Sequence, residues 1–368
     1  MTKPFRIRFF GSQSHNLKSK TCTQLSRGSF LPTIENPKSK IQNAMAGIFA
    51  IVVALAICGA AAQAQQTTKI PRVGYLDTGT ASGSAVLVEA FRQELSKLGR
   101  IEGKNITIEY RFGQNKGAAR MPELAADLVR LKADLIVVTD TPTSLAAKSV
   151  TTTVPIVMVT VGDPVAAGLV ANLARPGGNI TGLSALSVEL NTKRLEILKD
   201  TVPKLGRVGL VRPAGGSDRQ LKNLRAAALA LKLKLEEIQT QRDPEGLESA
   251  FKTAKQKQVG AIMTTTAATF FSERKRLAEL AVKYRLPAIY YQDEFVDDGG
   301  LMSYGADYAD LYRHAAVYVD KILKGAKPAD LPVQQATKFE FVINLKAAKQ
   351  IGLTIPGRVL ERANKVIK

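Results

Sequence analysis

The chain has 368 residues, of which 45% are hydrophobic, and its 52 basic and 32 acidic residues give a formal net charge of +20. This length suffices for two domains, and this apolar fraction excludes a mostly disordered chain. The basic residues are spread along predicted helices without an aromatic-interleaved patch, which argues against a nucleic-acid partner.

Residues 1–64 have the order of parts found in a secretory signal peptide. Residues 1–40 carry eight basic side chains and one acidic side chain, and residues 41–68 carry no charge. An apolar centre from Ile48 to Ile57 precedes the small-residue site Ala62-Gln63-Ala64, after which we expect cleavage. The sequence therefore predicts export to the periplasm, with retention of the apolar segment as a membrane anchor as the alternative.

Both cysteines lie in this leader. Because Cys22 and Cys58 are removed with it, the mature chain is expected to have no disulfide and no thiol chemistry. The bulky Ile57 before Cys58 argues against lipid attachment at that cysteine.

The rest of the chain contains one pattern of strands and helices twice. Continuous apolar runs are typical of buried parallel strands, and three of them recur in each half, at Arg72 to Leu76, Ala133 to Asp140 and Val154 to Val161, then at Arg207 to Val211, Val259 to Thr266 and Leu286 to Asp293. Helices are predicted at Ala85 to Leu98, Pro122 to Leu131, Asp218 to Leu231, Pro244 to Lys257 and Ser272 to Tyr284. The predicted fold class is α/β, with two doubly wound, Rossmann-like lobes.

The stretch from Asp163 to Gly182 has the strongest turn signals of the chain. Asp163-Pro164 predicts a helix start, because the side-chain oxygen can cap the helix and proline suits its first turn. We expect the helix to span Val165 to Ala174 and to end at the Pro-Gly-Gly of Arg175 to Asn179. A strand, Ile180 to Leu186, is predicted next.

Ligands of doubly wound sheets bind beyond the carboxyl ends of the strands, where loops and helix N-termini converge. These ends are polar and rich in hydroxyl groups here. The sequence predicts a ligand site formed by Asp77, Ser82, Thr141, Asp163, Arg212, Thr266, Tyr291, Gln292 and Tyr304.

Four of these residues have an equally simple structural explanation. Asp163 either pairs with a ligand ammonium or only caps its helix, and Thr141 either contacts the ligand or only shapes a turn. Thr266 is a good strand former as well as a candidate ligand contact. Arg212 either clamps a ligand carboxylate or is solvated in its loop.

The tyrosines near the second lobe's strand ends can stack on an aromatic or aliphatic ligand. Alternate residues of a strand face opposite sides, so Tyr290 and Tyr291 cannot both face a cleft. Core packing therefore explains at least one of Tyr290, Tyr291 and Tyr304.

Four segments are similar to one known family, namely Phe91 to Arg111 (FRQELSKLGRIEGKNITIEYR), Asp163 to Gly182 (DPVAAGLVANLARPGGNITG), Gly299 to Val333 and Phe341 to Pro356 (FVINLKAAKQIGLTIP). In this order they resemble the solute-binding proteins of ABC importers, in the periplasmic type I branch that includes TrpX-like tryptophan-binding proteins. The resemblance covers nearly all of the chain after the leader.

The resemblance implies a first lobe at 65–186, a second lobe at 187–298, and returns to the first and second lobes at 299–332 and 333–368, with a hinge near Ser187, Gly299 and Val333. It also implies that a monomer closes around a small solute and delivers it to an inner-membrane ABC permease with its ATPase. An amino acid or related organic acid is favoured, because the family includes amino-acid binders and the predicted cleft offers both Asp163 and Arg212.

Enzyme motifs are mostly absent from the chain after the leader. Its one histidine, His314, lies in a predicted helix and no cysteine accompanies it, so no catalytic, metal or cofactor site is expected. The alternative function is a periplasmic enzyme or a sensor input module on the same two-lobed fold.

Overall fold

The computed structural model describes residues 69–214, 221–241 and 244–368. The predicted leader and signal peptide at 1–64, with Cys22 and Cys58, lie outside these residues, as does the predicted helix start at Asp218. Within the described ranges, no helix combines the length and apolar character that a membrane crossing requires.

The first lobe is built on alternating strands and helices. Its strands are β1 (Arg72–Asp77), β2 (Thr107–Phe112), β3 (Leu135–Val138), β4 (Ile156–Val161) and β5 (Ile180–Ser184). Its helices are α1 (Ala85–Lys97), α2 (Met121–Arg130), which follows a 3-10 turn at Ala118–Arg120, and α3 (Thr141–Val150).

The second lobe repeats this alternation. Its helices are α4 (Ser187–Thr201), α5 (Leu221–Ala230), α6 (Pro244–Gln256), α7 (Ala268–Ser272), α8 (Arg274–Lys283) and α9 (Glu294–Asp297). Its strands are β6 (Arg207–Pro213), β7 (Lys234–Thr240), β8 (Ala261–Thr264), β9 (Ala288–Tyr290) and β10 (Met302–Ala306).

The last part of the chain visits both lobes. It contains α10 (Tyr308–Leu323), a 3-10 turn at Pro328–Asp330, β11 (Gln334–Gln335), β12 (Phe339–Asn344), α11 (Leu345–Ile351), α12 (Gly357–Leu360) and β13 (Lys365–Ile367). Helix α10 packs against α1 and the first sheet, whereas β12 and β13 join the second sheet.

Each lobe has one sheet. In the described residues the first sheet has the order β11-β5-β4-β3-β1-β2, with every pair parallel, and the second has the order β13-β12-β10-β9-β8-β6-β7. The second sheet is mixed, because β12 pairs antiparallel with β10. The predicted fold class of two doubly wound α/β lobes is confirmed.

The central strands of each sheet are apolar without interruption because helices cover both faces there, whereas the outer strands β2 and β7 contain charged residues. Along β3, Leu135 and Val137 belong to one apolar cluster with α1 and α10, while Ile136 and Val138 belong to another with α2 and α3. Each of these four residues is fully buried. Burial on both faces removes the polar alternation of half-exposed strands and leaves the strand ends as the polar parts of the sheet.

The strand pairings locate the three passages of the chain between the lobes. The first lies between β5 and α4, close to the predicted hinge at Ser187. The second lies near Asp307, because β10 still pairs with β9 in the second sheet. It is therefore eight residues later in the chain than the predicted position at Gly299. The third lies between β11 and β12, at 336–338, a few residues beyond Val333.

One predicted helix is wrong. Val165 to Ala174 forms turns and bends rather than a helix, because Gly168 takes a left-handed conformation with φ of +68° after a single helical turn. The predicted helix from Ser272 to Tyr284 is present as α8, and the short helix α7 before it was not predicted.

We predict that Gly305→Ala destabilises the protein. A Cβ at Gly305 would overlap the backbone carbonyl oxygen of Tyr291 on the adjacent segment of the second sheet, and backbone cannot move aside as a side chain can. Overpacking of this kind costs about 1–3 kcal/mol, to be measured as the free energy of unfolding in urea. Gly206→Ala is the matched control, because that position is exposed and a Cβ meets nothing within 4 Å; equal losses in both variants would contradict the packing argument.

Candidate functional site

A cavity of about 520 Å³ is lined by residues of both lobes at the carboxyl ends of their strands. Its first-lobe wall follows β1, β3 and β4, and its second-lobe wall follows β6, β8 and β9. Helix α10 adds Tyr308 and Tyr312. Separate parts of the chain therefore build one cavity.

Asp77 ends β1 in the first-lobe wall and is 1% exposed. One carboxylate oxygen accepts a hydrogen bond from the Gly79 N–H at 2.6 Å, and the other accepts from the hydroxyls of Ser84 at 2.9 Å and Tyr75 at 3.4 Å. Burial raises the pKa of Asp77 to about 6, and the nearby charge of Asp140 contributes to the rise. The carboxyl group of Asp77 therefore titrates well above the usual range of an aspartate.

Asp140 follows β3 and caps helix α3. Its Oδ1 accepts from the N–H and hydroxyl of Thr143 at 2.9 and 2.8 Å, and its Oδ2 accepts from the Thr78 hydroxyl at 2.6 Å. Burial raises the pKa of Asp140 as well. Two carboxylates with raised pKa values thus lie side by side on one wall of the cavity.

Two buried hydroxyl groups, one from each lobe, line the cavity without a partner. Thr139 is 2% exposed and Thr269 is 5% exposed, and neither Oγ1 has a hydrogen-bond partner among the described residues. A buried polar group without a partner costs about 1–3 kcal/mol. A ligand that offers polar groups at these two positions would recover that cost.

Arg212 belongs to the second-lobe wall. It is 5% exposed, and its Nη1 lies 3.1 Å from a carboxylate oxygen of Glu237 on the neighbouring strand β7. Glu237 also pairs with Arg225 at 2.6 Å. Of the two alternatives from the sequence, a solvated loop position is wrong, because Arg212 is held in the cavity wall.

Aromatic rings line the cavity from both lobes, since α10 packs on the first sheet. Phe271, Tyr291, Tyr308 and Tyr312 all line the cavity, and the rings of Tyr291 and Tyr308 lie 6.0 Å apart. The Tyr291 hydroxyl donates to the Ala267 carbonyl at 2.6 Å. Burial raises the pKa of all three tyrosines, so they stay neutral, and the wall can contact an apolar ligand body.

Seven of the nine predicted site residues line this cavity, namely Asp77, Thr141, Asp163, Arg212, Thr266, Tyr291 and Gln292. Asp163 accepts from the Ala166 N–H at 2.9 Å, so it does cap the turn that replaces the predicted helix. The role of these residues in binding stays a prediction.

Ser82 and Tyr304 are not among the lining residues. Ser82 is exposed, with its hydroxyl 3.4 Å from that of Thr80. Tyr304 packs edge-on against Phe341 at 6.2 Å in the second lobe. Tyr290, unlike Tyr291, stacks in the core, as alternation along a strand requires.

Sequence reasoning missed several lining residues. Thr139 and Asp140 stand beside the predicted Thr141, and the Asp-Thr-Pro start of α3 was a visible capping signal for Asp140. Tyr308 and Tyr312 are four residues apart and so share one face of α10. Nothing in the sequence alone showed that this face meets the strand ends.

The two lobes touch next to the lining residues Ser84 and Phe271. The Thr80 N–H donates to the Ser272 hydroxyl at 3.3 Å, and Arg274 Nη1 donates to the Gly83 carbonyl at 3.1 Å. A Cβ at Gly83 would lie 2.7 Å from the Ser272 Cα. The absence of a side chain at Gly83 therefore permits this close approach of the lobes.

Residues 81–367 match a family model described as ABC transporter substrate binding protein. The chain is also similar to the tyrosine-binding protein of Clostridioides difficile (strain R20291), with 27% identity over 266 residues that cover 72% of this chain and 76% of that protein.

Two solved structures share the fold. One is a conserved domain protein from Vibrio cholerae, with a TM-score of 0.74 and 31% identity, covering 81% of this chain and 100% of that one. The other is an ABC domain from Streptococcus pneumoniae in complex with L-Trp, with a TM-score of 0.71 and 26% identity, covering 81% and 99%.

We predict that Asp77→Asn changes how stability depends on pH. The folded-state pKa of Asp77 is raised from 3.8 to about 6, so the folded parent holds a proton more tightly than the unfolded chain and loses stability as pH rises through this window. The variant cannot ionise there. Relative to the parent, its free energy of unfolding should rise by up to about 3 kcal/mol between about pH 4 and pH 7, as measured by urea denaturation.

Asp134→Asn in the same lobe is the control, for which we expect the opposite dependence of stability on pH. Burial alone would raise the pKa of Asp134, but the Arg72 N–H and Lys69 lower it overall. This variant should lose stability relative to the parent as pH rises from acid. A pH-independent difference between Asp77→Asn and the parent would show that Asp77 does not titrate in this window.

Proposed function

This chain belongs to the family of ABC transporter substrate-binding proteins, and we propose that it captures an aromatic amino acid by closing its two lobes around it. The observation that carries the proposal is the cavity of about 520 Å³, which is lined by carboxylates of the first lobe and by aromatic rings of both lobes. This volume is in the range of small-molecule sites. The names of the similar proteins, a tyrosine-binding protein and a domain solved with L-Trp, support the same ligand class.

Lobe closure follows from how the cavity is built. Its walls come from both lobes, so a ligand that touches both stabilises the arrangement in which they approach each other. The three passages between the lobes are short segments that can serve as the hinge. The contacts of Thr80 with Ser272 and of Gly83 with Arg274 then close the mouth.

Delivery completes the proposed function. The protein, as a monomer, presents its closed form to an inner-membrane permease with its ATPase, so that recognition depends on the closed population. We place this step in the periplasm, reached by export and removal of residues 1–64. Sequencing of the exported protein's amino terminus should give Gln65 first; a membrane-retained full-length chain would contradict it.

Calorimetric titration of the purified protein with L-Trp, L-Tyr and L-Phe tests the function. We expect at least one of them to bind stoichiometrically without turnover and to raise the melting temperature with concentration, because only the folded cleft binds. X-ray scattering should show a smaller radius of gyration with ligand, and an unchanged radius at saturation would argue against closure of the lobes. No binding of the three amino acids would overturn the proposed ligand class.

Substitutions in the cavity wall then test the site. Tyr291→Ala and Thr266→Ala should each weaken binding about fivefold to tenfold, and Arg212→Ala about thirtyfold, since a charged desolvated contact is worth on the order of 2 kcal/mol. Lys255→Ala on the exposed side of α6 is the control and should bind as the parent does. If all three wall variants matched the parent in affinity, the ligand would bind elsewhere.

A further inference from the structure

The charge of the cavity lining is unbalanced. Among the described residues that line it, three are acidic (Asp77, Asp140 and Asp163) and one, Arg212, is basic. Arg212 lies on the second-lobe wall and already pairs with Glu237. The first-lobe wall formed by Asp77, Thr139 and Asp140, here called the acidic wall, faces the cavity with carboxylate charge.

The protein supplies neutral partners to the two carboxylates of the acidic wall. Asp77 accepts hydrogen bonds from a backbone N–H and from the hydroxyls of Ser84 and Tyr75. Asp140 accepts from Thr78 and Thr143. In the described part of the chain, neither carboxylate forms a salt bridge with a lysine or arginine, so a positive charge in the cavity would find both of them uncompensated.

Thr139 provides a second and independent sign of a ligand. Its hydroxyl lines the cavity directly beside Asp140, is 2% exposed, and has no hydrogen-bond partner among the described residues. A hydroxyl oxygen accepts from an N–H as readily as a carboxylate does. An ammonium group, with three donors, matches two carboxylates and one hydroxyl.

We propose that the acidic wall is the ammonium site of the cleft, and that the amino group of the solute decides binding more than its carboxylate does. This inference rests on the proposed function and adds to it the orientation of the ligand. The amine lies against the first lobe, and the apolar body lies against Phe271 and Tyr291 of the second lobe. The carboxylate faces the side of Arg212, whose charge Glu237 partly offsets.

Binding at this site is coupled to a proton. The titratable groups that face Asp77 are Asp140, Tyr75 and Tyr312, and burial keeps both tyrosines neutral. In the empty cavity the carboxylate pair takes up a proton as pH falls towards 6. An ammonium favours the ionised pair, so that proton is released to solvent and affinity for the amine rises with pH from about 5 to about 7.

The experiment compares each aromatic amino acid that binds with its two truncated analogues. For L-Trp these are tryptamine, which lacks the carboxylate, and indole-3-propionate, which lacks the amine; for L-Tyr and L-Phe they are the corresponding amines and propionates. We expect the propionate to bind at least about a hundredfold more weakly than the amino acid, and the amine, which loses only the partner of Arg212, to bind no more than about thirtyfold more weakly. A propionate that binds more tightly than the amine would overturn the proposal.

Charge-removing variants test the residues. Asp140→Asn keeps a good helix cap, and Asp77→Asn provides a second test should the first fail to fold. Each should weaken amine binding about thirtyfold or more, leave propionate binding unchanged or stronger, and reduce the proton release seen by calorimetry in two buffers near pH 6. Asp134→Asn is the matched control, because Asp134 precedes β3 and so lies at the amino-terminal ends of the strands, away from the cavity. This variant should change none of the three quantities.

The two proposals can fail separately. If no aromatic amino acid binds, the proposed ligand class is wrong. The ammonium site is then tested with the amines of L-Trp, L-Tyr and L-Phe alone, by whether they stabilise the protein. Stabilisation of the parent by an amine, lost in Asp140→Asn or Asp77→Asn but kept in Asp134→Asn, supports the ammonium site. No stabilisation by any amine, or equal stabilisation of parent and variants, overturns it.

Discussion

Parallel strands present their carboxyl ends at one edge of a sheet, and three passages of the chain hold two such edges against each other. This constraint determines where polar groups gather in the molecule. The interiors of the central strands are apolar because helices cover both faces, so the polar residues that must be buried collect where these strands stop. The cavity is therefore a consequence of the topology, and its chemistry depends on the few residues after each strand.

Several of those residues have a structural task besides any contact with a ligand. Asp140 caps α3, Asp77 fixes the turn to Ser84, and Asp163 caps a turn at the rim. A cap needs a side-chain oxygen, which asparagine also has, whereas an ammonium site needs the charge. The two tasks can therefore be separated by an Asp→Asn change, although the sequence pattern alone describes only the cap.

The sequence predicted the fold because its signals were local. Apolar runs marked the main strands, and the family resemblance inferred from four segments is confirmed. It failed at Val165 to Ala174, where composition favours a helix but Gly168 leaves the helical conformation after one turn. The sequence could not predict which side chains face the cavity when their direction depends on contacts between segments far apart in the chain. This is the case for Ser82, Tyr304, Tyr308 and Tyr312.

The contacts between the lobes involve residues with little or no side chain. Gly79 and Gly83 in the first lobe both have Ser272 of the second lobe within van der Waals reach of the position a Cβ would take, and Gly162 meets Ser187 in the same way beside the first passage between the lobes. At Gly83 a Cβ would also meet the Ser272 backbone, so a side chain there would hold the lobes apart, whereas at Gly79 and Gly162 the nearest atom is a serine hydroxyl that can rotate away. Affinity in such a cleft reflects both the fit of the ligand and the free energy of bringing these surfaces together, so a substitution that never touches the ligand can still change how tightly it is held.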